Sequence, residues 1–133
     1  MPYKVLVVDD ESTVRSLFSD LLKRDKYIVK AAPSGEAALV EISKEDFDIV
    51  LLDIKLSGMS GMEVLKRLKE TKPQLAVIMI TGFGYDEDLV CRSKEYGCSG
   101  YISKSLPIQE IMSKFKECVE SAKIAPKKED KGK

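Results

Sequence analysis

Residues 5–12 read VLVVDDES. Four branched aliphatic residues follow one another without a polar break, as in a strand covered on both faces by helices rather than one with a solvated face. The run stops abruptly at two adjacent acids, Asp9 and Asp10. Downstream, Val14, Leu17, Phe18, Leu21 and Leu22 fall at i, i+3, i+4, i+7 and i+8, so one apolar helical stripe follows the strand. A strand buried on both sides and followed at once by an amphipathic helix is the opening of a βαβ unit.

The alternation repeats through the chain. Four further Val- and Ile-rich runs, YIVKA (27–31), DIVLLD (48–53), LAVIMIT (75–81) and GYISK (100–104), are separated by stretches of helical period. YIVKA is the most polar of the five and is expected at an edge. A second helix begins near Ser34, a suitable N-cap, and carries Ala38, Leu39 and Ile42 inward. A third runs from about Gly61 to Glu70 before Pro73. A fourth, from about Asp86 to Tyr96, has the weakest stripe and stops at Gly97. The fifth starts at Pro107 and repeats Ile108, Ile111, Met112, Phe115 and Val119. The expected fold class is therefore α/β, a (βα)5 doubly wound parallel sheet of five strands. Residues 1–122 form the expected domain, and 123–133, KIAPKKEDKGK, reads as a disordered basic tail or the start of a linker.

Composition narrows the function classes. Lysine and arginine number 22 against 22 acids, so no net charge points to nucleic acid or to a membrane surface. Nothing at the N-terminus has the build of a secretory signal and no apolar run is long enough to span a bilayer, so a cytoplasmic location is expected. The three cysteines, Cys91, Cys98 and Cys118, lack metal-site spacing and read as packing or surface thiols. Histidine is absent, which excludes histidine ligands, histidine bases and a phosphohistidine step within this chain.

In a doubly wound sheet, ligands bind beyond the carboxyl ends of the strands, where strand order reverses. Those ends here carry Asp9 and Asp10, Asp53, Thr81 and Lys104. Taken singly, each has an ordinary explanation in a turn, a helix start or a solvated surface. Together they put three carboxylates on one rim, where a close pair repels by about 4 kcal/mol at 4 Å and an effective dielectric near 20. One lysine offsets one charge, so a hard divalent cation with oxygen ligands is the expected compensation, and Mg²⁺ (or Mn²⁺) suits a site of carboxylates and phosphoryl oxygens. An aspartate beside such a cation, with a hydroxyl and an ammonium opposite, has the makings of a phosphoryl-transfer site with Asp53 as nucleophile.

With these residues in view, the chain resembles the response-regulator receiver domains of bacterial two-component signalling. The resemblance rests on VLVVDDES, DIVLLDIKLSGMSGMEVL, VIMITGFG and GYISK, in that order, and spans about Tyr3 to Ala122. It implies a flavodoxin-like strand order 2-1-3-4-5. It implies that Asp53 accepts a phosphoryl group from a sensor histidine kinase or a phosphotransfer protein. Asp10 is then a direct Mg²⁺ ligand, Asp9 acts through water, and Asp53 and the Lys55 backbone carbonyl complete the set. Thr81 and Lys104 contact the phosphoryl oxygens, and Tyr101 is the switch aromatic. The face of the fourth helix, fifth strand and fifth helix would signal to a downstream protein target or a missing output domain.

Three positions depart from the family pattern. Ser57 stands where proline is usual, Ser60 where an acid or amide precedes Gly61, and Ser105 where proline follows the lysine, often after a cis bond. A cis bond before a non-proline residue costs about 3–4 kcal/mol, so the sequence calls for a trans loop of altered shape or for strain. Phe83, two residues after Thr81, is expected to shield the acyl phosphate from water. Two other classes compete. A Mg²⁺-dependent aspartate-nucleophile phosphatase would carry DxDx(T/V) after the first strand, where this chain has DDES, and a flavin carrier would need a hydroxyl-rich phosphate loop there.

Overall fold

The computed structural model describes residues 3–56, 58–82 and 87–122. Five strands, β1 (Lys4–Val8), β2 (Ile28–Ala32), β3 (Ile49–Asp53), β4 (Ala76–Thr81) and β5 (Gly100–Ser103), alternate with five helices, α1 (Ser12–Arg24), α2 (Gly35–Lys44), α3 (Gly61–Thr71), α4 (Glu87–Glu95) and α5 (Ile108–Ser121). All pairings are parallel, in the order β2-β1-β3-β4-β5. The chain thus steps from β1 outward to β2 and returns across β1 to β3, which puts the reversal of strand order between β1 and β3.

Strand parity divides the interior. Leu6, Val8, Val50, Leu52, Val77 and Met79 face a layer closed by α2 and α3. Val5, Val7, Ile49, Leu51, Ile78 and Ile80 face the other layer, where α1 contributes Phe18 and Leu22, and α5 contributes Ile111, Phe115 and Val119. Every residue of β3 and β4 is buried, as both-face coverage demands, whereas edge strand β2 buries only Ala32 fully. Tyr27 meets Phe115 edge to face at 5.5 Å and ties the base of β2 to α5.

Two predicted stripes are narrower than their sequence pattern. On α1 only Phe18 and Leu22 are buried, while Leu17 remains 44% exposed; on α5, Ile108 remains 40% exposed. A helix against a sheet buries a limited arc, and Leu17 and Ile108 fall on its flank. α4 buries only Val90 and Ser93, in keeping with its weak pattern. The helix starts follow local chemistry: Ser34 Oγ accepts from the Ala37 amide at 3.1 Å and Ser60 Oγ from the Glu63 amide at 3.2 Å. Pro107 is the N-cap of α5, one residue ahead of its expected place inside the first turn. Ser57, residues 83–86 with the helix start expected at about Asp86, and the expected tail 123–133 lie outside the described residues.

Gly61 opens α3 directly against the end of β3. A Cβ at this position would lie 2.2 Å from the Asp53 carbonyl oxygen and 2.6 Å from Ile54 Cα, both backbone atoms that cannot rotate away. The Gly61 amide meanwhile donates to the Ile54 carbonyl at 2.8 Å. Gly61→Ala is therefore expected to destabilise the fold by about 1–3 kcal/mol, the usual range for forced overpacking. Urea unfolding checks this, and a midpoint equal to wild type would show that the contact relaxes freely.

Candidate functional site

The rim is assembled by strand termini. Register pairs Val8 with Leu52, so the residues that follow, Asp9 and Asp53, stand side by side across the switch point. Asp53 and Thr81 are the last residues of β3 and β4, while Asp9 and Lys104 sit one position past the ends of β1 and β5. Carboxylate oxygens of Asp9, Asp10 and Asp53 all lie within 4.8 Å of one another. Asp9, Asp53 and Thr81 are buried, and Asp10 is exposed. An open cleft of about 520 Å³ lies over the group, lined among others by Asp10, Glu11, Asp53, Lys55 and Lys104.

Lys104 supplies the opposing charge. Its Nζ lies 2.7 Å from Asp9 Oδ2 and 3.2 Å from Asp53 Oδ2, and its side chain is mostly covered. The Lys104–Ser105 peptide is trans, as are all peptides among the described residues. Hydroxyls shape the loop where proline is usual: Ser103 Oγ lies 2.6 Å from Ser105 Oγ and accepts from the Ser105 amide at 3.2 Å. The Lys104 amide donates to the Thr81 carbonyl at 2.7 Å, extending the β4–β5 ladder by one bond. The serine loop therefore delivers the lysine to both acids without proline.

Burial is the chief influence on Asp53 and raises its pKa above the ordinary 3.8; nearby Asp9 pushes in the same direction, and Lys104 partly opposes both. Burial alone would lower Lys104, but its bonds and charge interactions with Asp9 and Asp53 outweigh that and raise it. The Lys55 amide donates to Asp53 Oδ1 at 3.3 Å, and the Glu11 amide to Asp9 Oδ1 at 3.0 Å. Tyr101 is half-buried on β5, opposite Met79, within the α2/α3 layer. Phe83 lies outside the described residues.

The donor set consists of hard oxygens, with two acids buried, one exposed and a cleft above them. This fits a hard divalent cation such as Mg²⁺ that keeps part of its water shell. Two neighbours were not singled out by sequence reasoning. Glu11 lines the cleft, and Arg15, half-buried on α1, donates from Nη1 to the Asp9 carbonyl at 2.7 Å. The only signal for Arg15 was its distance from Asp9, six residues on and one turn into the helix, and that spacing alone does not say where a long side chain ends.

Fold and site together define a doubly wound α/β protein with a cation-compatible acidic cluster at its switch point, bridged by one lysine. The family model described as response regulator receiver domain matches residues 5–116. Sporulation initiation phosphotransferase F of Bacillus subtilis (strain 168) is 37% identical over 117 residues, covering 88% of this chain and 94% of that protein. A CheY-like receiver domain protein from Methanospirillum hungatei JF-1 superposes with a TM-score of 0.84 at 28% identity, covering 92% of this chain and 98% of that one. The response regulator protein TrrA from Thermotoga maritima, solved in complex with Mg²⁺-BeF, gives a TM-score of 0.78 at 33% identity, with 89% and 99% covered. The chain belongs to the response regulator receiver domain family, the phosphoacceptor switches of two-component signalling.

Because its folded-state pKa is raised, Asp53 binds its proton more tightly in the folded than in the unfolded chain. Its ionisation therefore removes stability as pH climbs from about 3.8 through the folded value. Asp53→Asn removes the buried charge and leaves Lys104 paired with Asp9. In chelator at pH 7 this variant is expected to melt above wild type, the difference shrinking as pH falls toward 3.8. Melting curves across that range test the sign, and a variant that melts below wild type at pH 7 would contradict it.

Proposed function

We propose that Asp53 is the phosphoacceptor, and that this chain catalyses only the gain and loss of its own phosphoryl group. The observation that carries this is the position of the Asp53 carboxylate. It lies at the end of β3, grouped with two other carboxylates, bonded to Lys104 and open to a cleft large enough for a phosphoryl group. An Asp53 oxygen forms the new O–P bond as the P–N bond of a kinase's phosphohistidine breaks, and the imidazole leaves. In this reading the donor is the phosphohistidine of a sensor histidine kinase or of a phosphotransfer protein.

Asp9, Asp10, Asp53 and the Lys55 carbonyl would hold Mg²⁺ (or Mn²⁺), which when bound supplies positive charge opposite the phosphoryl oxygens. Lys104 exchanges its contact with the Asp53 carboxylate for a phosphoryl oxygen. Thr81, at the end of the neighbouring strand, donates its hydroxyl to another. A phosphoryl group adds about −1.5 to −2 charge on this rim, so both residues are drawn toward it. Both connect to β5, Lys104 through the chain and Thr81 through the ladder, so the movement reaches Tyr101 and then α4, which buries only Val90 and Ser93. The α4/β5/α5 face is thus the output surface, read by a downstream protein in the cytoplasm.

A second surface, which shares α5 with that face, suits the phosphoryl donor. Leu21, Ile108 and Met112 line a groove between α1 and α5, and Leu17 lies one turn nearer the rim. Exposed apolar residues beside an active rim mark a protein-docking patch, and burying them would hold a histidine-bearing helix over Asp53.

Incubation with Mg²⁺ and a small acyl phosphate, followed by intact mass, tests the assignment. Wild type is expected to gain one phosphoryl group and Asp53→Asn none. No gain on wild type, or an equal gain on both, ends the reading.

A further inference from the structure

The β1–α1 connection is three residues long, Asp9, Asp10 and Glu11, and it carries two of the three rim acids. Within this turn the Asp9 carboxylate is held by the Glu11 amide at 3.0 Å and by Lys104, whereas Glu11, the N-cap of α1, makes no side-chain capping bond. Two backbone bonds hold its ends: the Asp9 amide donates to the Ala32 carbonyl at 3.3 Å, and the Arg15 amide donates to the Glu11 carbonyl at 3.0 Å. Between them, the Asp9–Asp10 peptide is held by the Arg15 guanidinium, whose Nη1 donates to the Asp9 carbonyl at 2.7 Å.

A peptide is a rigid plane, so fixing its carbonyl oxygen fixes the direction in which the next Cα leaves it. For this turn the next Cα belongs to Asp10, the exposed acid that reaches into the cleft. The geometry points to Arg15 as a positioning residue for the cation site: by clamping the Asp9 carbonyl it aims Asp10, and through Asp10 it sets the affinity for Mg²⁺. This rests on the Mg²⁺ reading given above. Partners that orient ligands without touching the metal commonly matter about tenfold or more in affinity.

Charge alone predicts the opposite. A guanidinium beside a cation site repels the cation, so removing it should tighten Mg²⁺ binding by simple Coulomb attraction to the remaining acids. The direction of the change therefore separates positioning from electrostatics. Arg15→Met keeps an unbranched side chain with no charge and no donor; Arg15→Gln is neutral and shorter, and takes its place should the methionine variant not fold.

The experiment is calorimetric titration of Mg²⁺ into the unphosphorylated protein, with melting in chelator measured in parallel. A dissociation constant about tenfold weaker than wild type, at an unchanged melting temperature in chelator, supports the clamp. An equal or tighter constant overturns it. So does weaker binding that merely follows a lowered melting temperature, which would make Arg15 structural. Wild type that binds no Mg²⁺ overturns the cofactor reading and the clamp together, whereas wild type that binds normally beside an unaffected variant overturns the clamp alone.

Discussion

The Lys104 ammonium, 2.7 Å from Asp9 and 3.2 Å from Asp53, is the interaction on which the rim depends. Burial raises the cost of ionising Asp53, and the neighbouring Asp9 carboxylate adds to it. The lysine relieves the repulsion only in part, since Asp53 remains raised in pKa even with the ammonium in contact. Three carboxylates gather on the rim against one ammonium, so it carries more acids than its own cation can offset. That residual charge is what a divalent cation can satisfy. It is also why the site is costly to the fold and useful to the function, since groups held against their preference respond strongly when a new charge arrives.

The rest of the architecture serves to bring these groups together. Parallel strands point all their carboxyl ends one way, and the reversal between β1 and β3 opens a gap there that no crossover helix covers. Register then sets Asp9 beside Asp53, and the close seating of Gly61 against the Asp53 carbonyl fixes the end of β3 beneath α3. Lys104 comes from the far edge of the sheet, 95 residues along the chain from Asp9, and spans that separation only because β5 pairs with β4 up to Thr81 and Ser103. A site built this way is coupled to β5 by construction: whatever draws Lys104 also pulls on the edge strand.

Much of this was legible in the sequence because the signals were repetitive or chemically rare. Strand runs alternating with helical stripes identified the doubly wound class, and the polar YIVKA run identified the edge. Acids ending apolar strands marked the rim, since a carboxylate at the end of a buried strand is costly without a partner. Other features were not legible, for identifiable reasons. Leu17 and Ile108 match a helical stripe as well as their buried neighbours do, and only the curvature of the sheet beneath decides which flank stays open. Ser105 removes a proline without saying how the loop compensates; the bond between the Ser103 and Ser105 hydroxyls depends on side-chain directions that no pattern encodes. Arg15 was invisible because a long flexible side chain can reach many atoms, and its sequence position is that of any solvated helix residue.

The two apolar exposures and the weak helix divide the surface in a way that follows from the same constraint. In the proposed function a switch is approached by a donor and read by a target, and the two surfaces meet along α5. Here α1 and the start of α5 present Leu17 and Ile108 on one side, firmly rooted through Phe18, Leu22, Ile111 and Phe115. On the other side α4, which buries only Val90 and Ser93 fully, lies beside an edge of the sheet that Lys104 pulls upon. A rigid face suits a partner that must align a phosphoryl group with Asp53, because transfer depends on orientation. A loosely held face suits a partner that must sense a change, because a small free-energy difference can shift its packing. The uneven anchoring of the helices is thus the mechanical counterpart of the uneven charge at the rim.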